Sequence, residues 1–443
     1  MELRDLIVTP LILILVYVGA YMMRLWYTDS VNRKYFFPAL TLKIFGAIAL
    51  GLLYQFYYGG GDTFNFHTIG SRFVWEAFWD SPVKGFDLLF SEGEFSARTY
   101  EYASKIYFYQ DQSSFFIIRI ATLFDLLTFS SYSGTAVLFA VFSFVGSWAF
   151  FSAMYRQKPQ LHFWIAVAIL FIPSVIFWGS GLLKDTMTFA CLGLMTYSVS
   201  NLFIKHYRKI GSFVLLLISA WIIFSVKKYI LLCFLPAAFL WVYVKQINRI
   251  KSIVLKILMF PFVAAMVIGI GYYSVSLISE DDPRYALDKI AETSRITAYD
   301  IGFYTGRDAG SGYSLGNLDG SMEGMLKLAP QAINVSLFRP YLWEIKNPLM
   351  LLSALESILL LLFTGYVIVK KRSKVIQSLG DPNVAFCLLF SLTFAFAVGV
   401  STFNFGTLSR YKIPLLPFYT LSLIYMLNYK KSDKKVEVLE ETE

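Results

Sequence analysis

Charge is what this 443-residue chain has least of: Asp, Glu, Lys and Arg make up 16% of it, against 57% hydrophobic residues. A soluble domain is about 45–50% apolar and about 25% charged, so the sequence lacks the polar surface needed to stay in water. It reads as a membrane protein. Cysteine is nearly absent. Cys191, Cys233 and Cys387 all lie in apolar segments with no CxxC or Cys/His spacing, which excludes an encoded disulfide framework or cysteine metal site. Histidine is equally scarce, at His67, His162 and His206, and neither HExxH nor GxSxG occurs. A zinc protease or serine hydrolase therefore has little to work with, and no cysteine in an inter-span loop could serve as a protease nucleophile. Strict period-2 alternation is missing too, which excludes an outer-membrane barrel.

What is present is a series of apolar blocks close to the roughly 20 residues that cross a bilayer as helix. The fold class expected is therefore all-α, a polytopic transmembrane helical bundle. The net charge of +9 could suggest nucleic acid, but the basic residues sit in short clusters between the blocks, so the charge reports topology and no nucleic-acid partner is expected. The clusters are Arg24 to Lys34, Arg156 to Lys158, Lys205 to Lys209, Lys245 to Lys251, Lys370 to Arg372 and Lys430 to Lys435. Placing all of them in the cytoplasm predicts about 11 spans: Leu6–Met23, Pro38–Tyr58, 133–154, 161–178, 181–203, 212–226, 229–244, 252–275, 348–369, 383–400 and 412–428. The N-terminus is then outside. The first block has no cleavage-site pattern and is read as a retained span. The apolar stretch Ser113–Phe129 carries Arg119 and Asp125. It is assigned to the outer interface as a membrane-parallel or half-inserted helix, a span with a different topology being the alternative. Two large extracytoplasmic loops result, 59–132 and 278–347, both read as too aromatic to be disordered and expected to form helices on the outer leaflet over the bundle. The chain divides into an N-terminal helix and cytoplasmic linker (1–36), a transmembrane module (37–428) and a charged cytoplasmic tail (429–443).

Asp62 follows Gly59-Gly60-Gly61 at the outer end of the second span, with Thr63, Asn65 and His67 behind it. A carboxylate at that boundary can take a proton from an attacking hydroxyl, and the glycines permit close approach. The same string equally supports a turn with Asp62 as the N-cap of a helix over 66–79. Lys184 and Asp185 begin the fifth span. Ionisable residues at membrane depth default to a functional reading, and a helix N-terminus beside an ammonium favours an anion such as a lipid phosphate. The two side chains point about 100° apart on a helix, so they are not mutual partners, and Asp185 is left to neutralise another cation. Lys184 alternatively snorkels to the interface.

Lys227 and Lys228 form an outer turn on the face where positive charge is disfavoured, and Arg339 and Arg410 precede the ninth and eleventh spans. Together with Lys184 they predict a ring of cations able to hold a phosphate or diphosphate, each being alternatively an interfacial anchor. Glu344 and Glu356 flank the start of the ninth span, and Glu356, within its apolar run, is expected to pair with Lys184 or Arg410. Glycines recur from Gly302 to Gly324 without a strand before them or a GK[ST] after them. They mark no phosphate loop but a mobile lid or a disordered connector.

The acid right after the span that opens the first outer loop (Asp62 in GGGDTFNFH) and the basic residues at later span ends resemble the GT-C class of integral membrane glycosyltransferases. Pro173-Ser174 with Gly181 to Asp185, Lys228-Tyr229 and Leu337 to Glu344 are similar to motifs of bacterial surface-polysaccharide membrane proteins, polymerase-like ones included. Two departures stand out: the acidic loop follows the second helix instead of the first, and Asp62 has no adjacent second acid, which leaves a divalent metal open. The resemblance implies an inverting transferase in a bacterial inner membrane, its active site facing outward. It would take a sugar from a polyprenyl-phosphate donor to a glycan or lipid acceptor, with Asp62 as base, Lys184, Lys227, Lys228, Arg339 and Arg410 on the lipid phosphate, and Asp185, Glu344, Glu356 and His67 in support. The alternatives are an O-antigen-type polysaccharide polymerase and a lipid-linked saccharide flippase or other transporter.

Overall fold

A computed structural model describes residues 2–247, 253–286, 288–306, 311–316 and 318–430. Among these the regular structure is helical, apart from one isolated bridge between Gly312 and Asn404. Long apolar runs leave the backbone no partner in lipid other than itself, and the α-helix satisfies every group within the segment. Among the described residues, eight helices are long and apolar enough to cross a membrane: Leu3–Tyr27, Arg33–Phe56, Tyr132–Tyr155, Lys184–Lys205, Lys209–Val226, Tyr229–Ile247, Pro348–Lys371 and Pro382–Val400. The protein is a multi-pass helical membrane bundle.

Eight is fewer than the eleven expected, and two of the three differences have local causes. The stretch over 161–178 breaks into His162–Leu170 and Pro173–Trp178. Pro173 pushes the residue before it out of the helical region, and Ile172 is extended at ψ 124°. The last stretch, expected over 412–428, is cut short: the short helix Phe405–Tyr411 and a turn at Lys412 to Pro414 precede it, and its helix Leu415–Leu427 has only 13 residues. The stretch expected over 252–275 falls on the helix Ile253–Asp281 and lies partly outside the described residues.

The basic linkers gather at one end of the bundle. Gln157 donates to Ser200 Oγ at 3.1 Å, Lys158 reaches Asp381 at 3.1 Å, Gln246 donates to the Phe203 carbonyl at 2.9 Å and Lys371 to that of Tyr429 at 3.1 Å. The opposite end carries residues 59–131, which fold, as expected, into helices: Asp62–Phe66, Arg72–Asp80, Pro82–Leu89 and Gln112–Thr128, with a π-helical turn His67–Ser71. Gln112–Thr128 has 17 residues and is not among the eight. Its Asp125, one of the two charges in this stretch, is fully buried in protein and accepts from Ser71 Oγ at 2.6 Å and Thr135 Oγ1 at 2.5 Å.

The segment 278–347 is only partly a loop. Ala329–Phe338 is packed into the bundle: Ser336 donates to the Ala395 carbonyl at 2.7 Å, and a Cβ on Gly399 would come within 2.3 Å of the Ala332 carbonyl oxygen. Of the glycine-rich stretch, residues 307–310 and 317 lie outside the described residues, while Tyr313 N donates to the Phe403 carbonyl at 3.1 Å and Phe405 N to that of Ser311 at 2.9 Å. The lid expected there is thus laced along part of its length to the segment that carries Arg410.

Tyr132–Tyr155 and Lys184–Val199 approach through paired glycines, as closely packed membrane helices do. A Cβ on Gly193 would lie 2.2 Å from the Gly146 carbonyl oxygen, and one on Gly146 2.3 Å from that of Ala190. Gly193→Leu is expected to force the helices apart at a cost of about 1–3 kcal/mol, read as a lower melting temperature and a loss of monodisperse protein in detergent. Gly19→Leu, at a position with nothing within 4 Å, should leave both unchanged.

Candidate active site

The helix Arg33–Phe56 ends in Tyr57-Tyr58, and Gly59, Gly60 and Gly61 then take φ of +68°, +142° and +121°. Only glycine adopts such values freely. The chain doubles back, Gly60 N donating to the Tyr54 carbonyl at 2.9 Å, and Asp62 emerges beside Tyr54. Asp62 is the first residue of its helix, with Gly61 in the cap position and no side-chain cap bond, so the N-cap alternative does not hold. The carboxylate faces outward instead, 42% exposed, and accepts from Arg410 Nη1 at 2.9 Å.

Arg410 is delivered by the short helix Phe405–Tyr411, whose start is fixed by the Asn404 side chain accepting from Gly406 N at 2.7 Å and Thr407 N at 3.1 Å. Its Nη1 also reaches the Tyr54 hydroxyl at 3.1 Å, and its Nη2 reaches Asp185 Oδ2 at 3.3 Å. Asp185, buried in the first turn of the Lys184–Val199 helix, accepts from Lys227 Nζ at 2.5 Å through Oδ1. The ammonium of Lys227 in turn lies 4.0 Å from the centre of the Tyr411 ring. Four side chains from four parts of the sequence thus alternate in sign: Asp62, Arg410, Asp185, Lys227. Two carboxylates and two cations sum to zero. Burial opposes the charge of Lys227, but Asp185 outweighs it and holds the ammonium above the usual lysine range. Burial works the same way against Arg410, where Tyr54, Asp185 and Asp62 outweigh it.

The other expected residues are placed differently. Lys184, next to Asp185 in sequence, turns to Ser113 Oγ at 2.7 Å and Asp111 at 3.4 Å. Lys228 lies 3.9 Å from Asp282. Arg339 is locked to Glu344 through two nitrogens, Tyr341 N also donates to Glu344 at 2.8 Å, and the guanidinium stacks 5.3 Å from the Phe405 ring centre. The cations therefore do not form one open ring: each meets a carboxylate, and Arg410 and Lys227 share Asp185. Glu356 bonds neither Lys184 nor Arg410, since the ninth-span helix turns it toward the broken one, where its Oε2 accepts from Ser174 N at 3.0 Å. His67 is fully buried, 3.3 Å from Asp125, and so underpins the loop without facing its surface.

A cleft of about 1500 Å³ opens beside the cluster. Its walls are apolar, Phe45, Leu52 and Phe56 from one helix and Leu352, Leu355 and Leu359 from another, all of them exposed toward the surroundings of the bundle. Tyr54, Asp62 and Arg410 line one part of it. Tyr54, Asp111 and Asn404 escaped the reading of the sequence. Asn404, before Phe-Gly-Thr, carried a recoverable N-cap signal; Tyr54, one aromatic among many, carried none. Among the described residues no three His, Cys, Asp or Glu side chains converge as a metal-ligand set, and both carboxylates of the cluster are engaged by Arg410. No protein-family model, no curated protein and no solved structure matches the chain.

Proposed function

We propose that the protein is a membrane glycosyltransferase that moves a sugar from a polyprenyl-phosphate-linked donor to a glycan or lipid acceptor, in surface polysaccharide synthesis. The observation that carries this reading is an exposed carboxylate, Asp62, bonded to Arg410 beside an apolar cleft open toward the lipid. A lipid-borne substrate can lay its chain in such a cleft and present its head group to the charges. Basic linkers at the far end support a cytoplasmic position for that end, and with it, on this reading, a site that faces outward from a bacterial inner membrane.

In this mechanism Asp62 takes the proton of the acceptor hydroxyl, the oxygen bonds to the anomeric carbon, and the polyprenyl phosphate leaves with the electron pair of the broken bond. Protonation removes the charge that holds Arg410 Nη1, just as negative charge grows on the leaving phosphate. Arg410 is then free to turn to the phosphate while Asp185 keeps its other nitrogen in place, which stabilises the developing charge where it forms. Lys227 balances Asp185 and so helps to hold it in place; Lys184, Lys228 and Arg339, paired with other carboxylates, stand outside this step. The test is mass-spectrometric profiling of lipid-linked saccharides in cells carrying wild type, a deletion, or Asp62→Asn at equal expression. Both mutants should accumulate the same undecorated species.

A polymerase joining lipid-diphosphate-linked units would use the same cluster, and accumulation of single repeat units would favour it. The two interrupted helices favour a further reading, since discontinuous helices line substrate paths in transporters. A lipid-linked saccharide transporter predicts material trapped on the cytoplasmic face in the deletion and no effect of Asp62→Asn.

A further inference from the structure

A second polar station lies in the same cleft, apart from the charge cluster. Glu356 sits eight residues beyond Pro348, the first residue of the helix Pro348–Lys371, which at 1.5 Å per residue is about 12 Å along it. Glu356, Ser174, Ser353 and Ser409 all line the cleft. Ser353, one turn before Glu356, shares a hydrogen bond of 3.0 Å with Ser409, and Ser409 is the residue before Arg410. A polar strip thus runs from the cluster along an otherwise apolar wall.

Half of the Glu356 carboxyl is unsatisfied. Oε2 accepts from Ser174 N, but Oε1 is buried and has no hydrogen-bond partner. The nearby ammonium of Lys412 is committed elsewhere, to Ser357 Oγ at 3.0 Å and the Arg339 carbonyl at 3.4 Å. A buried polar atom left unpaired is costly in a low-dielectric setting, and because the Glu356 side chain lines the cleft, a turn of its carboxyl can present that oxygen to what enters. An ionised carboxylate there needs a donor; a protonated carboxyl needs an acceptor. A hydroxyl serves as either, whereas an ammonium serves only the first and a phosphate only the second.

We infer that Glu356 and the serines around it form a subsite for the sugar hydroxyls of a lipid-borne saccharide, whose chain lies along the cleft and whose phosphate reaches the Asp62–Arg410 cluster. The inference rests on the transferase reading for its substrate class. It can be tested without turnover. Dicyclohexylcarbodiimide adds to a protonated carboxyl in an apolar setting, and the adduct rearranges with no leaving group to a stable N-acylurea that peptide mass spectrometry locates. At a pH acidic enough to protonate carboxyls generally, the full-length protein in nanodiscs is expected to label at Glu356, and Glu356→Gln to lose that adduct. Dodecyl maltoside should slow the labelling about tenfold more than dodecane, which has the same chain without any polar group, the factor corresponding to one recovered hydrogen bond. No adduct at Glu356, or equal labelling with the maltoside and the alkane, overturns the subsite.

In transfer assays on native membranes Glu356→Leu should raise KM for the substrate whose sugar the subsite holds, donor or acceptor, with kcat nearly kept; an unchanged KM for both again overturns it. The two proposals fail separately. Lost protection beside an Asp62→Asn variant that still accumulates its intermediate removes the subsite alone. A silent Asp62→Asn with protection intact removes the transfer and leaves a saccharide site.

Discussion

Asp62→Asn is expected to lower sugar transfer by roughly 10²–10⁴-fold, the usual contribution of a positioned general base, while leaving the protein folded. The substitution changes almost nothing in shape. The amide it introduces keeps an oxygen that can accept from Arg410, whose Tyr54 and Asp185 contacts are untouched. With a carboxylate 42% exposed, the lost ion pair should cost about 0–1 kcal/mol. What disappears is the proton acceptor, and with it the coupling by which protonation of Asp62 frees Arg410. Saccharide profiling together with a melting curve separates the two effects: the intermediate should accumulate at an unchanged melting temperature. Wild-type saccharides in the Asp62→Asn variant would show that Asp62 is not the base. Asp62→Glu, with the same chemistry on a longer arm, should retain partial transfer.

The largest expected change in stability belongs to Asp185→Asn. This carboxylate is 3% exposed and holds two cations, Lys227 at 2.5 Å and Arg410 at 3.3 Å. Removing one partner of a buried pair costs about 3–5 kcal/mol because the other charge is left without compensation. Here two cations lose it. Taking out Lys227 as well should restore part of the loss, since replacing both members of a buried pair by apolar groups is often close to neutral. Asp185→Leu with Lys227→Met is accordingly expected to melt above Asp185→Asn alone, yet below wild type, because Arg410 still lacks the contact that orients Nη2. A double variant no more stable than the single one would show that the two side chains are not coupled. Transfer should stay low in both variants, since Arg410 is positioned for the leaving phosphate through Asp185.

The same contrast separates what was legible in the sequence from what was not. The helical class, the positions of the eight long helices and the gathering of basic linkers at one end could all be read from the chain, because hydropathy over about twenty residues and the sign of the flanking charge are local properties. Asp62 and Arg410 could be singled out for a similar reason: a charge beside an apolar run is conspicuous without knowing its neighbour. The interruptions at Pro173 and Pro414 were overlooked because an apolar count does not register a proline, though the prolines stand in the sequence. Partners were a different matter. Glu356 was matched with Lys184 or Arg410 on sign alone, and the bundle turned it to the Ser174 amide instead. Lys184, Lys228 and Arg339 were placed in a ring with Lys227 and Arg410, and each found a carboxylate of its own. Arg410 meets Asp62 across 348 positions and Asp185 across 225. Which opposite charges meet at such separations is fixed by how the helices pack, through contacts such as Gly146 against Gly193, and one-dimensional pattern carries no record of it. The sequence by itself determined a membrane bundle with charges on its rim; only the tertiary structure decided which charges neutralise one another, and which carboxyl, at Glu356, is left open to the cleft.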